Sequence, residues 1–107
     1  MTFEQYDAET GKTMMPTSNN IEYLTLGLVS EAGEVAGKVK KIIRDKGGVI
    51  TDADKLELLK EISDCCWYVS RLSTFLGSST EKVCEINFLK LKSRAERGTI
   101  SGSGDNR

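Results

Sequence analysis

Apolar residues recur every three or four positions through most of the chain, and this helical spacing constrains the fold more than any other feature. It predicts long helices from about Ile21 to Arg44, from Thr51 to about Leu76 and from Ser78–Glu81 to about Arg97. A short, weakly amphipathic helix is predicted from Thr2 to about Glu9, ended by Gly11. No alternating pattern typical of a β-strand is sustained, so the predicted fold class is all-α, a helical bundle.

Signals for helix ends support these boundaries. Ser18 to Asn20 are candidate N-caps for the first long helix, and Gly47-Gly48 is the predicted stop. Thr51 to Asp54 resembles a capping signal, and Ser78-Ser79-Thr80-Glu81 matches the Ser-x-x-Glu capping box. The third long helix is predicted to end before Gly98.

A chain of 107 residues fits one compact domain, predicted over residues 1–97. The remaining residues, 98–107, are rich in glycine and are predicted to form a flexible tail. So short a chain buries only a modest fraction of its surface alone, and helices that bury a further apolar face against a second copy would gain stability. The bundle is therefore expected to be completed by dimerisation or a larger homo-oligomer.

The charge balance argues against broad classes of partner. Lys and Arg number 15 and Asp and Glu 16, so no global field favours nucleic acid or an anionic membrane. Apolar runs are far shorter than the roughly 20 residues of a membrane span, and the N-terminus lacks the pattern of an export signal. We therefore expect a cytoplasmic protein. The three cysteines, Cys65, Cys66 and Cys84, form no CxxC pair and are expected to be reduced core thiols.

The sequence contains no histidine. This excludes Ser-His-Asp and Cys-His catalysis, most zinc sites and the Glu-x-x-His ligands of di-iron bundles. The groups left for chemistry are carboxylates, lysines, arginines and hydroxyls.

Carboxylates follow similar strips on the first two long helices, beside the apolar strip of each. At about 100° per residue, one strip contains Gly27, Glu31, Glu34, Lys38 and Lys41, and the other contains Glu57, Glu61, Asp64, Tyr68 and Arg71. If the helices pack antiparallel, Glu31, Glu34, Glu61 and Asp64 can converge. Four converging carboxylates need a cation, and oxygen ligands favour Mg²⁺ or Mn²⁺ over zinc. Spacing alone does not separate this hypothesis from an ordinary solvated helix face.

The third long helix carries positive charge on one strip, formed by Asn87, Lys90, Arg94 and Arg97. Such a strip is commonly solvent-facing. Beside two acidic strips it also suits a polyphosphate, because metal ions bridge phosphate oxygens while Arg and Lys neutralise the remaining charge.

The order of three motifs resembles the MazG-like nucleotide pyrophosphohydrolases, an all-α family with paired ExxE and ExxD motifs. The matching runs are Leu28 to Val35, with Glu31 and Glu34, and Glu61 to Tyr68, with Asp64. Asn87 to Arg94 is similar to that family's NxxKLxxR stretch, and the ending is similar to short bacterial and phage members. The resemblance covers about Phe3 to Arg107.

The resemblance implies hydrolysis of an NTP or dNTP to the monophosphate and pyrophosphate, by a homodimer or larger assembly. It implies that Glu31, Glu34, Glu61 and Asp64 hold Mg²⁺ and that Asn87, Lys90 and Arg94 meet the phosphates, with Lys38 at a commonly basic position. Since histidine is absent, a carboxylate or a metal-bound hydroxide must generate the nucleophile, and Glu34 or Glu31 is the candidate base. The same motifs permit a narrower dUTP, dCTP or phosphoribosyl-ATP pyrophosphatase. A helical module that binds nucleotide without turnover is the alternative from another class.

Overall fold

The computed structural model describes residues 1–107 and contains four α-helices and no strand. They are α1 (Phe3–Lys12), α2 (Ile21–Lys46), α3 (Asp52–Phe75) and α4 (Thr80–Glu96), with a short 3₁₀ turn at Pro16–Ser18. The predicted all-α fold class is confirmed.

Capping side chains fix where the helices start. Asn20 accepts a hydrogen bond from the Tyr23 amide at the start of α2, and Thr51 and Asp54 form the reciprocal capping box of α3. At the start of α4 the cap is Ser79, which accepts from the Lys82 amide, so the capping box predicted from Ser78 is one residue out of register. The cap without the box satisfies one amide instead of two.

Gly11 does not end α1 as predicted, because the helix continues to Lys12. A Cβ at Gly11 would lie 3.1 Å from Nη1 of Arg71. The glycine therefore gives room for a large side chain of α3, and the helix tolerates its low propensity there.

Helices α2 and α3 form an antiparallel hairpin joined by residues 47–51, and they make the most extensive packing in the fold. Pairs across the hairpin run in opposite directions along the two helices: Gly27 faces Tyr68, and Lys38 pairs with Glu57. Next to the turn, Lys46 lies 2.7 Å from Asp54. The left-handed φ of 60° at Gly47 lets the chain leave α2.

Helix α1 packs against α3 and α4 through a polar network centred on Asp7. The Ser70 hydroxyl donates to Asp7 Oδ1 at 2.6 Å, and the Thr80 amide donates to Oδ2 at 3.0 Å. The buried Arg71 donates from Nε to the Thr10 hydroxyl at 2.9 Å. One carboxylate thus joins three helices.

The chain leaves much of its apolar surface uncovered. Leu24 and Ile42 are the buried apolar side chains, whereas Leu26, Leu59 and Phe88 are 60–70% exposed. Cys66 and Cys84 are also exposed and Cys65 is half-buried, so the prediction of core thiols is wrong for the first two, although all three are free.

Candidate functional site

Three of the predicted carboxylates meet between α2 and α3. Glu31 of α2 and Glu61 and Asp64 of α3 have carboxylate oxygens within 4.8 Å of one another, and we call this group the carboxylate cluster. Glu31 and Glu61 are half-buried and Asp64 is exposed. The i,i+3 spacing of Glu61 and Asp64 places both on one side of α3, and the antiparallel hairpin brings Glu31 opposite them.

The charges in the cluster oppose one another. Partial burial raises the pKa of Glu31, and the negative charges of Asp64, Glu61 and Glu34 raise it further. A bound cation would reverse this electrostatic cost. Because every donor is a carboxylate oxygen, the site fits a hard divalent ion such as Mg²⁺ or Mn²⁺.

Glu34 is not a member of the carboxylate cluster. It is exposed on α2, one turn beyond Glu31, and it acts on Glu31 through its charge. The structure therefore brings together three of the four acids that the sequence placed in one metal site.

Lys38 lies beside the cluster and pairs with acids of α3. Its ammonium group is 2.7 Å from Glu61 and 3.2 Å from Glu57. The hydrogen bond to Glu61 is the main cause of the raised pKa of Lys38. One cluster carboxylate thus already has a cationic partner, while the structure gives Glu31 and Asp64 no lysine or arginine within salt-bridge distance. The sequence placed Glu57 on the acidic strip without assigning it a role.

Tyr68 fixes the spacing of the hairpin next to the cluster. A Cβ on Gly27 would overlap the ring of Tyr68, because the two would lie closer than van der Waals contact allows. Burial raises the pKa of Tyr68, as do the nearby Tyr23 hydroxyl and the charges of Glu31 and Asp64. Sequence reasoning placed Gly27 and Tyr68 on facing strips but gave Tyr23 no part, although its i,i+4 spacing from Gly27 puts it on the same side of α2.

The basic strip of α4 is covered by the end of the chain. Lys90 lies 3.1 Å from the Asp105 carboxylate, and Arg94 donates to the Asp105 carbonyl at 2.9 Å. Arg97 donates to the main-chain oxygen of Arg107 at 2.8 Å. Asn87 is exposed. The cations predicted to meet phosphates therefore contact residues 98–107 and not the carboxylate cluster.

An all-helical chain with an oxygen-only cluster between two antiparallel helices defines a class of helical protein suited to a hard divalent metal. The sequence matches the family model of the MazG nucleotide pyrophosphohydrolase domain over residues 19–99. It is also 52% identical over 87 residues to the Gene 37 protein of Mycobacterium phage L5, covering 81% of this chain and 76% of the relative. The chain belongs to the MazG nucleotide pyrophosphohydrolase family.

The matched region contains α2, α3 and α4, and so includes the carboxylate cluster and the basic strip. Helix α1 lies outside it, as do residues 100–107. No solved structure matches the chain. None of the four helices is both long enough and apolar enough to cross a membrane.

Proposed function

We propose that the protein is an Mg²⁺-dependent nucleoside triphosphate pyrophosphohydrolase, which converts an NTP or dNTP and water into the monophosphate and pyrophosphate. The observation that carries this proposal is the meeting of Glu31, Glu61 and Asp64 between α2 and α3. Family membership indicates nucleotide pyrophosphohydrolase activity and supplies the reaction class.

In the proposed site, Glu31, Glu61 and Asp64 would hold the metal. Glu34 would either add a ligand or act on the site through its charge, one helical turn from Glu31. Bound Mg²⁺ would polarise the α-phosphate and lower the pKa of a coordinated water. Glu31 or Glu34 accepts the proton of the attacking water. The new bond forms between this oxygen and the α-phosphorus, and the bond from the α-phosphorus to the bridging oxygen of pyrophosphate breaks.

The position of Glu31 favours it as the base, because it lies within the cluster, whereas Glu34 is outside. Lys90 and Arg94, with Asn87, would meet the leaving pyrophosphate, and Lys38 would release Glu61 when the metal binds.

We also propose that the active form is a homodimer or homotetramer. The support is the exposed apolar surface, because Leu26, Leu59 and Phe88 are 60–70% exposed on three different helices. Sedimentation measurements across a range of protein concentrations would test this, and a monomer at micromolar concentration would contradict it.

The function is tested by incubating the protein with each common NTP and dNTP and Mg²⁺, while following pyrophosphate and the nucleotide products. We expect release of pyrophosphate and a monophosphate that stops in EDTA. Turnover of dUTP or dCTP alone, or of phosphoribosyl-ATP, would assign a narrower pyrophosphatase. Calorimetric binding of Mg²⁺-nucleotide with no pyrophosphate release would contradict an enzyme and indicate a binding module.

A further inference from the structure

The chain supplies its own oxygens to the basic strip of α4. Residues 98–107, here called the C-terminal loop, turn back along the helix, with Gly102 and Gly104 at φ values of 114° and 83° that favour glycine. Oxygens of Gly104, Asp105 and Arg107 meet the cations of the strip. All three cations of the basic strip are thus occupied.

The loop has an anchor that does not depend on the Asp105 side chain. Arg107 donates to the carbonyls of Gly104 at 2.7 Å, Ile100 at 2.9 Å and Thr99 at 3.2 Å, which closes the loop on itself. Arg94, only 6% exposed, donates to the Asp105 carbonyl. These bonds hold the loop by its backbone.

The Asp105 carboxylate is held differently. It is 83% exposed and lies 3.1 Å from the Lys90 ammonium and 3.5 Å from the Arg94 guanidinium. The hydrogen bond from Lys90 lowers the pKa of Asp105, so the group is an anion at neutral pH. An exposed ion pair of this kind contributes little to stability and exchanges easily with other anions.

Arg94 also keeps an unused donor. Its Nε is buried and has no hydrogen-bond partner, and neither does the Thr99 hydroxyl at the base of the loop. The docked loop therefore leaves one donor of the strip, Arg94 Nε, unpaired, and a phosphate offers further acceptors to this guanidinium.

We propose that Asp105 competes within the chain against the phosphate groups of the substrate: its carboxylate occupies Lys90 while the C-terminal loop is docked, and a bound polyphosphate displaces it. This inference rests on the proposed function, in which Lys90 meets phosphate. The consequence is a lower affinity for the polyphosphate, because each substrate molecule must first break the Lys90–Asp105 pair.

The test is a calorimetric titration with inorganic pyrophosphate in EDTA, which probes the basic strip without turnover. Asp105→Asn removes the carboxylate and leaves the backbone anchor, and we expect it to tighten pyrophosphate binding about two- to fivefold. Glu96→Gln is the matched control, since it removes one exposed negative charge of α4 that pairs with no cation. Equal or weaker binding by Asp105→Asn, or equal tightening by Glu96→Gln, would overturn the competition.

Lys90→Gln separates this inference from the proposed function. We expect it to weaken pyrophosphate binding and to abolish the gain of Asp105→Asn in the double variant. Normal pyrophosphate binding by Lys90→Gln would overturn the inference together with the phosphate role of Lys90. Tighter pyrophosphate binding by Asp105→Asn, in a protein that hydrolyses no NTP, would instead uphold the inference and contradict only the proposed enzyme activity.

A second readout follows the loop itself. Pyrophosphate should move the backbone amide signals of Gly104 and Asp105 in ¹⁵N spectra of the wild type, because the Asp105 carboxylate leaves Lys90 while the backbone anchor holds. Saturating pyrophosphate with unmoved loop signals would show that both bind together, and would overturn the proposal.

Discussion

The carboxylate cluster and the basic strip carry opposite charges and differ in how those charges are paired. In the cluster, Glu31 and Asp64 face other carboxylates, and only Glu61 has a cationic partner, Lys38. On the basic strip, the cations are already bound by oxygens of the same chain. An added cation would therefore lower the free energy of the cluster, whereas an added ligand at the basic strip must replace an existing contact.

The difference follows from where each set of partners comes from. The cluster is built by two rigid helices that hold like charges together, and packing at Gly27 and Tyr68 enforces this arrangement. The basic strip is covered by a loop with little secondary structure, which contacts the strip through the Asp105 carboxylate and through main-chain oxygens. Variants of the carboxylate cluster and of the basic strip test this difference.

The largest effect is expected from Asp64→Asn, which breaks the cluster. Losing one metal-binding carboxylate should lower kcat for pyrophosphate release by about 10²-fold or more, since groups that stabilise developing charge contribute that much. Steady-state assays at saturating Mg²⁺ measure it. Asp52→Asn, at the fully exposed start of α3, is the control and should keep wild-type activity. If Asp64→Asn folded and kept normal Mg²⁺-dependent turnover, Asp64 would not be a metal ligand.

Arg94→Gln tests the contact between the basic strip and the C-terminal loop. Arg94 is buried and donates to the Asp105 carbonyl, so its loss should lower the free energy of unfolding by about 1.5–3 kcal/mol, with or without Mg²⁺. Urea unfolding followed by circular dichroism measures this. The control Arg44→Gln removes an exposed guanidinium paired with its neighbour Asp45, and should leave stability close to that of the wild type. Similar stabilities for the two variants would mean that loop docking contributes nothing.

The packing beneath the cluster is tested by Gly27→Ala. The new methyl group must displace the Tyr68 ring, which should cost about 1–3 kcal/mol and outweigh the gain of up to about 1 kcal/mol in helix propensity. Gly33→Ala in the same helix meets open space and should keep the propensity gain. Thermal unfolding of both variants measures the difference. A stabilised Gly27→Ala would show that Tyr68 does not set the distance between the helices.

Much of the fold could be predicted from the sequence because it depends on local signals. Apolar spacing predicts the helices, and caps such as Asn20 and Thr51 act within four residues of themselves. Gly11 was misread because its role depends on Arg71, which is 60 positions away. Ser78 was misread because two adjacent serines offer the same local cap.

The site was predictable in part. Spacing on helical faces brought Glu31, Glu61 and Asp64 toward one another, but it could not exclude Glu34, because the rotation of α2 against α3 depends on packing at Gly27. No sequence pattern indicated that Asp105 would reach Lys90. A glycine-rich segment can turn in many directions, and its composition led to the expectation of a flexible tail, which stays a prediction.

The smallest effect is expected from Glu31→Gln in the absence of metal. Removing one negative charge from the cluster should raise the free energy of unfolding in EDTA by a few tenths of a kcal/mol. Glu34→Gln is the matched control on the same helix, and because Glu34 lies outside the cluster its gain should be smaller. Adding Mg²⁺ should stabilise the wild type more than Glu31→Gln, because this variant loses a carboxylate of the cluster, and a smaller loss in Glu34→Gln would show that Glu34 adds a ligand.

The pH dependence sharpens this last test. Because the folded protein raises the pKa of Glu31 above its usual 4.5, the ionised group destabilises the fold, and this penalty is fully present above the raised pKa. Lowering the pH through the raised value toward 4.5 protonates Glu31 in the wild type, so the advantage of Glu31→Gln should shrink in that window. If Glu34→Gln instead showed the larger, pH-dependent gain, Glu34 would belong to the cluster and the hairpin would be rotated from the arrangement described.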